Sequence, residues 1–359
     1  LDDTVDIVEE MPASIVKRIL KQENSETRQM INEMLKYPAD SAGSIMTPEF
    51  VDLYRDMTIN EAIQHIRETG VDKETINVCY VTNVSRQLIG EVSIRTLILA
   101  DLSATVDSVM TKNTVSVNTQ EDKEDVAHVF SKYGCIVVPV VDSEERLVGI
   151  VTVDDAMDVM RDETTEDIDK MAAITPSDKP YLKLSTFDIY KSRIPWLLIL
   201  MISAAFTGAI ITHFEDALSA YLVLAASIPM IMDTGGNCGS QASVTVIRGI
   251  SLQEITFADT FKVLWKELRV SVLCGATLAV TNFIKLLLID RVTILVALVI
   301  SLTILCTVVI AKLVGCSLPI LAKRLGFDPA VMASPFITTI VDAVSLFIYF
   351  NIAGMILGL

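Results

Sequence analysis

No Cys-x-x-Cys pair occurs in this chain, and its six cysteines, Cys79, Cys135, Cys238, Cys274, Cys306 and Cys316, are scattered. That spacing excludes a disulfide framework and a zinc site and leaves them as small buried hydrophobes. Histidine is as scarce: His65, His128 and His213 stand alone and read as ordinary helix or interface residues. A phosphate loop, a nucleophile elbow and a catalytic triad are all missing, so no enzyme is expected. The chain opens at Leu1 with no basic-then-apolar leader, which suggests a preceding N-terminal piece and not a signal peptide.

What is present divides in two. A chain with 51% hydrophobic residues and a mean hydropathy of +0.49 is too apolar for an ordinary soluble enzyme, yet 21% charge is too much for an all-membrane protein. Residues 1–180 carry 35 Asp and Glu against 17 Lys and Arg, whereas residues 181–359 carry 10 against 12. The first half therefore reads as a soluble acidic region and the second as lipid-embedded. An acidic surface repels phosphates, so nucleic acid is not a partner. It suits cations, or simply solubility.

Residues 1–40 show helical spacing, with a second amphipathic stretch from Ser25 through Leu35. Residues 46–160 then repeat. Met46-Thr47 opens one copy and Met110-Thr111 the next, each followed by a short strand, an acidic helix start (Thr58–Ala62; Thr119–Asp122) and an apolar strand (76–81; 135–141). A polar turn and a Gly-led strand into a helix complete each copy. This β-α-β-β-α unit, twice over, resembles a tandem pair of CBS domains.

From Ile194 the composition changes. Apolar runs over 194–214, 217–247, 270–289, 292–322 and 330–359 make five candidate spans, since about 20 apolar residues cross the hydrocarbon core. Lys191, Arg193, Arg248, Lys262, Lys266, Arg269, Lys323 and Arg324 fall on one side, so the N-terminus is expected in the cytosol and the C-terminus outside, in the plasma (inner) membrane. Residues 251–269 read as an amphipathic helix along the cytosolic surface.

A charge inside a span costs about 2.5–3.5 kcal/mol on insertion scales, so each one is a functional candidate. Asp342 lies mid-span with no basic residue in its own segment. It is either a cation site or half of a structural ion pair with Lys285 or Lys312, and Lys285 is placed to snorkel to the outer turn. Asp233 opens Asp-Thr-Gly-Gly-Asn-Cys-Gly-Ser-Gln, four residues after Pro229. These glycines and the proline argue for a broken helix lining a polar cavity, against close helix packing through small residues. Asn237 and Gln241, four apart on one face, favour the cavity. Oxygen donors without a Cys/His set suit a hard cation such as Mg²⁺ or Ca²⁺.

Pro229-x3-Asp233-Thr-Gly-Gly-Asn-x-Gly-x-Gln, then Asp328-Pro-x5-Pro335-x6-Asp342, over five spans behind tandem CBS domains, resembles the MgtE family of Mg²⁺ channels. The resemblance covers nearly the whole chain. It implies a multidomain membrane protein: an α+β CBS pair and an all-α five-helix pore domain, assembled as a homodimer in the lipid bilayer. The parts would be a helical remnant (1–42), CBS repeats (43–103 and 104–168), a connecting plug-like helix (169–193) and the pore domain (194–359). Asp342 would be the selectivity carboxylate for hydrated Mg²⁺, with Gly235, Gly236, Asn237, Thr338 and Asp233 beside it. Ser334 departs from the Asn often found before the second motif's proline.

The acidic run around Asp158, Glu163, Glu166 and Asp167 reads by itself as a solvated helix face; the resemblance makes it a regulatory Mg²⁺ site. Empty, its like charges repel, and filled they would let the region close and shut the pore. Thr152-Val-Asp-Asp155 matches the Thr-x-x-Asp with which CBS pairs hold a ribose, which admits ATP at the second repeat. The function implied is Mg²⁺ uptake through a channel under negative feedback. The alternative is a cation-coupled carrier of Mg²⁺, Mn²⁺ or Co²⁺.

Overall fold

The computed structural model describes residues 11, 15–16, 25–177, 179–214, 221–332 and 334–358. They fall into two compact units, Leu1–Glu163 and Thr164–Leu359. The first expected helix, the outer turn at Glu215 and Asp216, and the Ser334 side chain lie outside the description, Met11, Ile15 and Val16 excepted.

The first unit begins with helix α1 (Ser25–Met34) and then runs twice through one pattern. In the first copy β1 (Asp52–Tyr54) and α2 (Ile59–Thr69) precede β2 (Val78–Thr82), β3 (Leu88–Ser93) and α3 (Ile94–Leu99). A single turn, α4 (Val106–Val109), leads to β4 (Val117–Asn118), α5 (Lys123–Tyr133), β5 (Val137–Val141), β6 (Leu147–Thr152) and α6 (Val153–Met171), whose residues from Thr164 on belong to the second unit. Both sheets have the same order: the first strand pairs parallel with the second, and the second antiparallel with the third.

Local chemistry sets these boundaries. Thr58 and Glu61 form a capping box at the start of α2, Asp122 caps α5, and Gly134 ends α5 at φ +66°. Each repeat keeps its own core, around Leu53, Ile59 and Val81 in the first and Val126, Val138 and Val151 in the second. A shared cluster of Phe50, Tyr80, Val137, Leu147 and Ile150 joins them. The lead-in of each copy pairs with the third strand of the other, Thr47 with Ile150 and Thr111 with Glu91. A Cβ on Gly90 would come within 2.8 Å of the Thr111 oxygen, and one on Gly149 within 2.7 Å of the Met46 sulfur. Met-Thr before a copy and Gly in the opposite copy are thus two halves of one contact.

The second unit holds five long helices: α7 (Thr186–His213), α8 (Leu222–Ser251), α9 (Thr260–Leu288), α10 (Ile294–Arg324) and α11 (Ser334–Leu357). Four segments, at α7, α9, α10 and α11, are long and apolar enough to cross a membrane. α8 matches them in length at 30 residues, about 45 Å of helix, but carries polar groups along one side. It packs on α10 and α11, α9 packs on α10, and α7 touches chiefly α11.

Three sequence expectations are corrected here. α8 is continuous through Pro229 and the glycines instead of broken. Its glycines form the packed face, so burial against α10 and α11 outweighs their poor helix propensity. Residues 260–269 are the first turns of α9 and not a separate surface helix, because no Gly or Pro interrupts the chain before Gly275. Residues 169–193 are likewise no single helix: α6 ends at Met171, a short 3-10 turn covers Tyr181–Lys183, and α7 starts at Thr186 with a Ser185–Asp188 capping box.

Candidate functional site

Helix α8 presents two opposite faces. Gly235, Gly239, Ala242, Val246 and Gly249 are buried, while Asp233, Asn237, Gln241, Thr245 and Arg248 are exposed. Both sets recur at three- or four-residue spacing, so each forms one stripe. On the buried side, a Cβ on Gly235 would meet Thr307, Val341 and Ser345, and one on Gly315 would run into the Gly239 carbonyl. α10 therefore approaches α8 almost backbone to backbone, and α11 lays its side chains directly against the α8 backbone. On the other side, four polar residues and an arginine lie bare along a helix that runs among apolar ones.

Asp342, on α11, is half-buried, and its Oδ1 has no hydrogen-bond partner among the described residues. Asp233 on α8 lies within electrostatic range of it. Thr338, one turn before Asp342, packs against Gly236. The structure thus brings Gly236 and Thr338 together between α8 and α11 one turn from Asp342, while Asp233 and Asn237 both sit on the exposed stripe, Asp233 within electrostatic range of Asp342. An unbonded buried carboxylate beside a second carboxylate is a costly arrangement that a cation relieves.

The ion-pair reading of Asp342 does not hold. Lys312 pairs with Glu267 of α9 at 3.8 Å, and Lys285 reaches Asp290 in the following turn at 2.6 Å. The Glu267–Lys312 pair escaped the sequence reading because Glu267 lies outside the apolar run that defined the third span. The continuation of the stripe to Thr245 and Arg248 was readable, since 233, 237, 241 and 245 keep strict i+4 spacing.

The regulatory candidates all sit on α6, and each has a partner. Asp158 pairs with Arg161 at 3.0 Å, and Glu163 with Lys123 at 3.5 Å. Glu166 and Asp328 share the Lys170 ammonium, the latter at 2.6 Å, and Asp167 accepts a hydrogen bond from Ser251 at 3.0 Å. Burial pushes the Asp167 carboxyl up against the pull of Ser251, and the Asp328 carboxylate adds to the rise. Among the described residues no three His, Cys, Asp or Glu side chains gather as a metal site. Lysine or arginine is thus the partner of Asp158, Glu163 and Glu166, and a serine that of Asp167.

Thr152 and Asp155 serve each other: the Thr152 hydroxyl donates to Asp155 Oδ2 at 2.5 Å at the start of α6. Neither of two clefts in this unit, of about 510 and 190 Å³, is lined by them.

Comparison with known proteins gives three family matches. The MgtE divalent cation transporter family matches residues 228–352, the CBS domain residues 42–103 and 106–162, and the MgtE intracellular N domain residues 1–40. The magnesium transporter MgtE of Thermus thermophilus is 36% identical over 99% of this chain and 79% of its own length. That of Bacillus subtilis is 35% identical over 98% and 77%. The cytosolic domain of the Mg²⁺ channel MgtE in complex with ATP aligns at 40% identity and a TM-score of 0.43, over 44% of this chain and 65% of that one.

Proposed function

The chain belongs to the MgtE family of magnesium transporters, a membrane transporter family and not an enzyme family, and from that premise we propose that it is a Mg²⁺-selective channel built as a homodimer. The observation that carries this reading is the bare stripe of Asp233, Asn237, Gln241, Thr245 and Arg248 on α8. In hydrocarbon such a face is costly, so it meets water or protein. A second copy placed with its own stripe opposite encloses a polar path, and the orphaned Asp342 carboxylate points to where a cation would be held.

Mg²⁺ sheds water reluctantly, so one carboxylate per chain plus amide and hydroxyl oxygens suits a hydrated ion. Asp342 supplies the charge, Asp233 a second, and Asn237 and Thr338 neutral oxygens. The basic residues at one end of the helices support a cytosolic N-terminus and an outer C-terminus in the plasma membrane.

Feedback would act on α6. At high cytosolic Mg²⁺ the ion displaces Lys123, Lys170 and Arg161 from Glu163, Glu166 and Asp158, and holds the compact arrangement that shuts the path. ATP at the second repeat is part of the same proposal, on the Thr152–Asp155 spacing.

Mg²⁺ flux into proteoliposomes tests the reading. Flux in the intact chain and about 100-fold less in Asp342→Asn is the expected result, the weight of one bond to a charged group. Equal flux in both would make Asp342 structural. A dependence of the wild-type flux on Na⁺ or H⁺ gradients would select the coupled carrier instead.

A further inference from the structure

In the second unit a smaller cleft opens where α8 ends and α10 ends. Its volume is about 130 Å³, with apolar walls from Ile250, Ile255, Phe257 and Ile320 and a rim of Lys323 and Arg324. The walls are built rather than incidental. After α8 the chain folds back, so that the Ile255 amide donates to the Gly249 oxygen at 2.9 Å. A Cβ on Gly249 would strike the Ile255 side chain. Arg324 lies 4.4 Å over the Phe257 ring, which fixes the guanidinium at the mouth.

The charge around this cleft is unbalanced. Ion pairs in this unit take up Lys170, Lys262, Lys285 and Lys312. Lys323 and Arg324 have no carboxylate partner among the described residues, nor do Arg248, Lys266 and Arg269. Beside them Phe257, in the 3-10 turn before α9, and Phe261 and Trp265, in its first turns, lie exposed at every fourth residue, and Leu321 and Leu325 are exposed at the end of α10. Aromatic and basic residues in one belt mark a helix end at the headgroup level of a bilayer.

We infer that this cleft holds the headgroup of an anionic phospholipid. The phosphate sits between Lys323 and Arg324, and the acyl chains leave over Phe257 and Leu321. A volume well below the roughly 300 Å³ of a drug-sized pocket admits a phosphate and excludes a nucleotide. Basic pockets between membrane helices on the cytosolic side have the chemistry for this class of lipid. The inference requires that this unit sits in a bilayer and does not depend on transport.

The full chain in detergent, titrated with phosphatidylglycerol or phosphatidylcholine and read by native mass spectrometry, tests it. Phosphatidylglycerol should bind in preference. Lys323→Gln or Arg324→Gln should weaken that preference about five-fold each, and the pair about 30-fold, as expected for single basic groups at an anionic surface. Lys266→Gln, on the same belt but outside the cleft, should change it less than two-fold. Unaltered melting in phosphatidylcholine shows that the variants fold; if Arg324→Gln does not, Lys323→Gln carries the test, and Arg324→Lys, which keeps the charge, should retain the preference. Equal binding of the two lipids, or an unchanged preference in the double variant, overturns the inference. So does protection by soluble glycerol phosphate equal to that by phosphatidylglycerol, which would mark a site for free phosphate.

Discussion

Asp155 in the first unit and Asp342 in the second each stood out in the sequence as a ligand residue, and the structure treats them oppositely. Asp155 is satisfied within its own turn, by the hydroxyl and backbone amide of Thr152. Asp342 keeps a buried oxygen with no partner, with Asp233 near it. The same contrast runs through both units. Thr58, Asp122 and Ser93 spend their polar atoms on capping helices, whereas Asp233, Asn237 and Gln241 line a bare helix side. A carboxylate satisfied locally must give up those bonds before it can take a ligand; one that is not satisfied needs a reason outside the fold.

The contrast is sharpened most by attacking the packing behind the stripe. Gly315→Val places a branched side chain against the Gly239 carbonyl, where the α10 backbone lies against that of α8. A loss of several kcal/mol is expected, beyond the 1–3 kcal/mol of ordinary overpacking, because a backbone cannot yield as a side chain does. Thermal unfolding in detergent should show this, together with loss of flux. If Gly315→Val melts like wild type, the helices are not held by this contact and the stripe's orientation is no longer secured.

Next comes α6, where charge and structure separate. Asp167→Asn keeps a hydrogen-bonding oxygen for Ser251 while removing a charge that burial disfavours. A carboxyl raised in the folded state costs stability as pH rises through that pKa, and below the unfolded value the cost is absent. Asn should therefore melt at or slightly above the wild-type temperature at pH 7, and equal to it near pH 3. Under the proposed feedback the same variant should need several-fold more internal Mg²⁺ to halve the flux. Unchanged inhibition would leave Asp167 as packing alone.

The expectations that failed share a physical origin. The duplicated unit was readable because its markers are local: a cap residue, a period of two, a glycine. The spans were readable by length and the absence of charge. Whether Gly235, Gly236 and Gly239 break a helix or pack it depends on what lies opposite, and Thr307, Thr338 and Ile337 are 72, 102 and 98 residues away, invisible to any local pattern. Lys312 had the same fault, since its partner Glu267 is set by how α9 lies along α10. Asp328, read only as part of a motif, turns out to receive Lys170 from α6.

The mildest test returns to the satisfied side of the comparison. The Thr58 hydroxyl accepts from the Glu61 amide at 3.2 Å, and the Glu61 carboxylate accepts from the Thr58 amide at 2.8 Å. That amide and the Thr58 hydroxyl, which donates to the same carboxylate oxygen at 2.9 Å, hold the Glu61 carboxyl below its ordinary range. A depressed carboxylate contributes stability that is present above its unfolded pKa and is lost as pH falls through the folded one. Thr58→Ala should cost about 1 kcal/mol at pH 7, the usual weight of an N-cap. The gap to wild type should narrow below about pH 4 as Glu61 is protonated in both. Chemical unfolding monitored by circular dichroism at the two pH values measures it. A gap that does not shrink would mean that the hydroxyl carries the cap without the carboxylate. It would weaken the rule that the first unit's conspicuous acids act as local fasteners, while leaving Asp342 untouched.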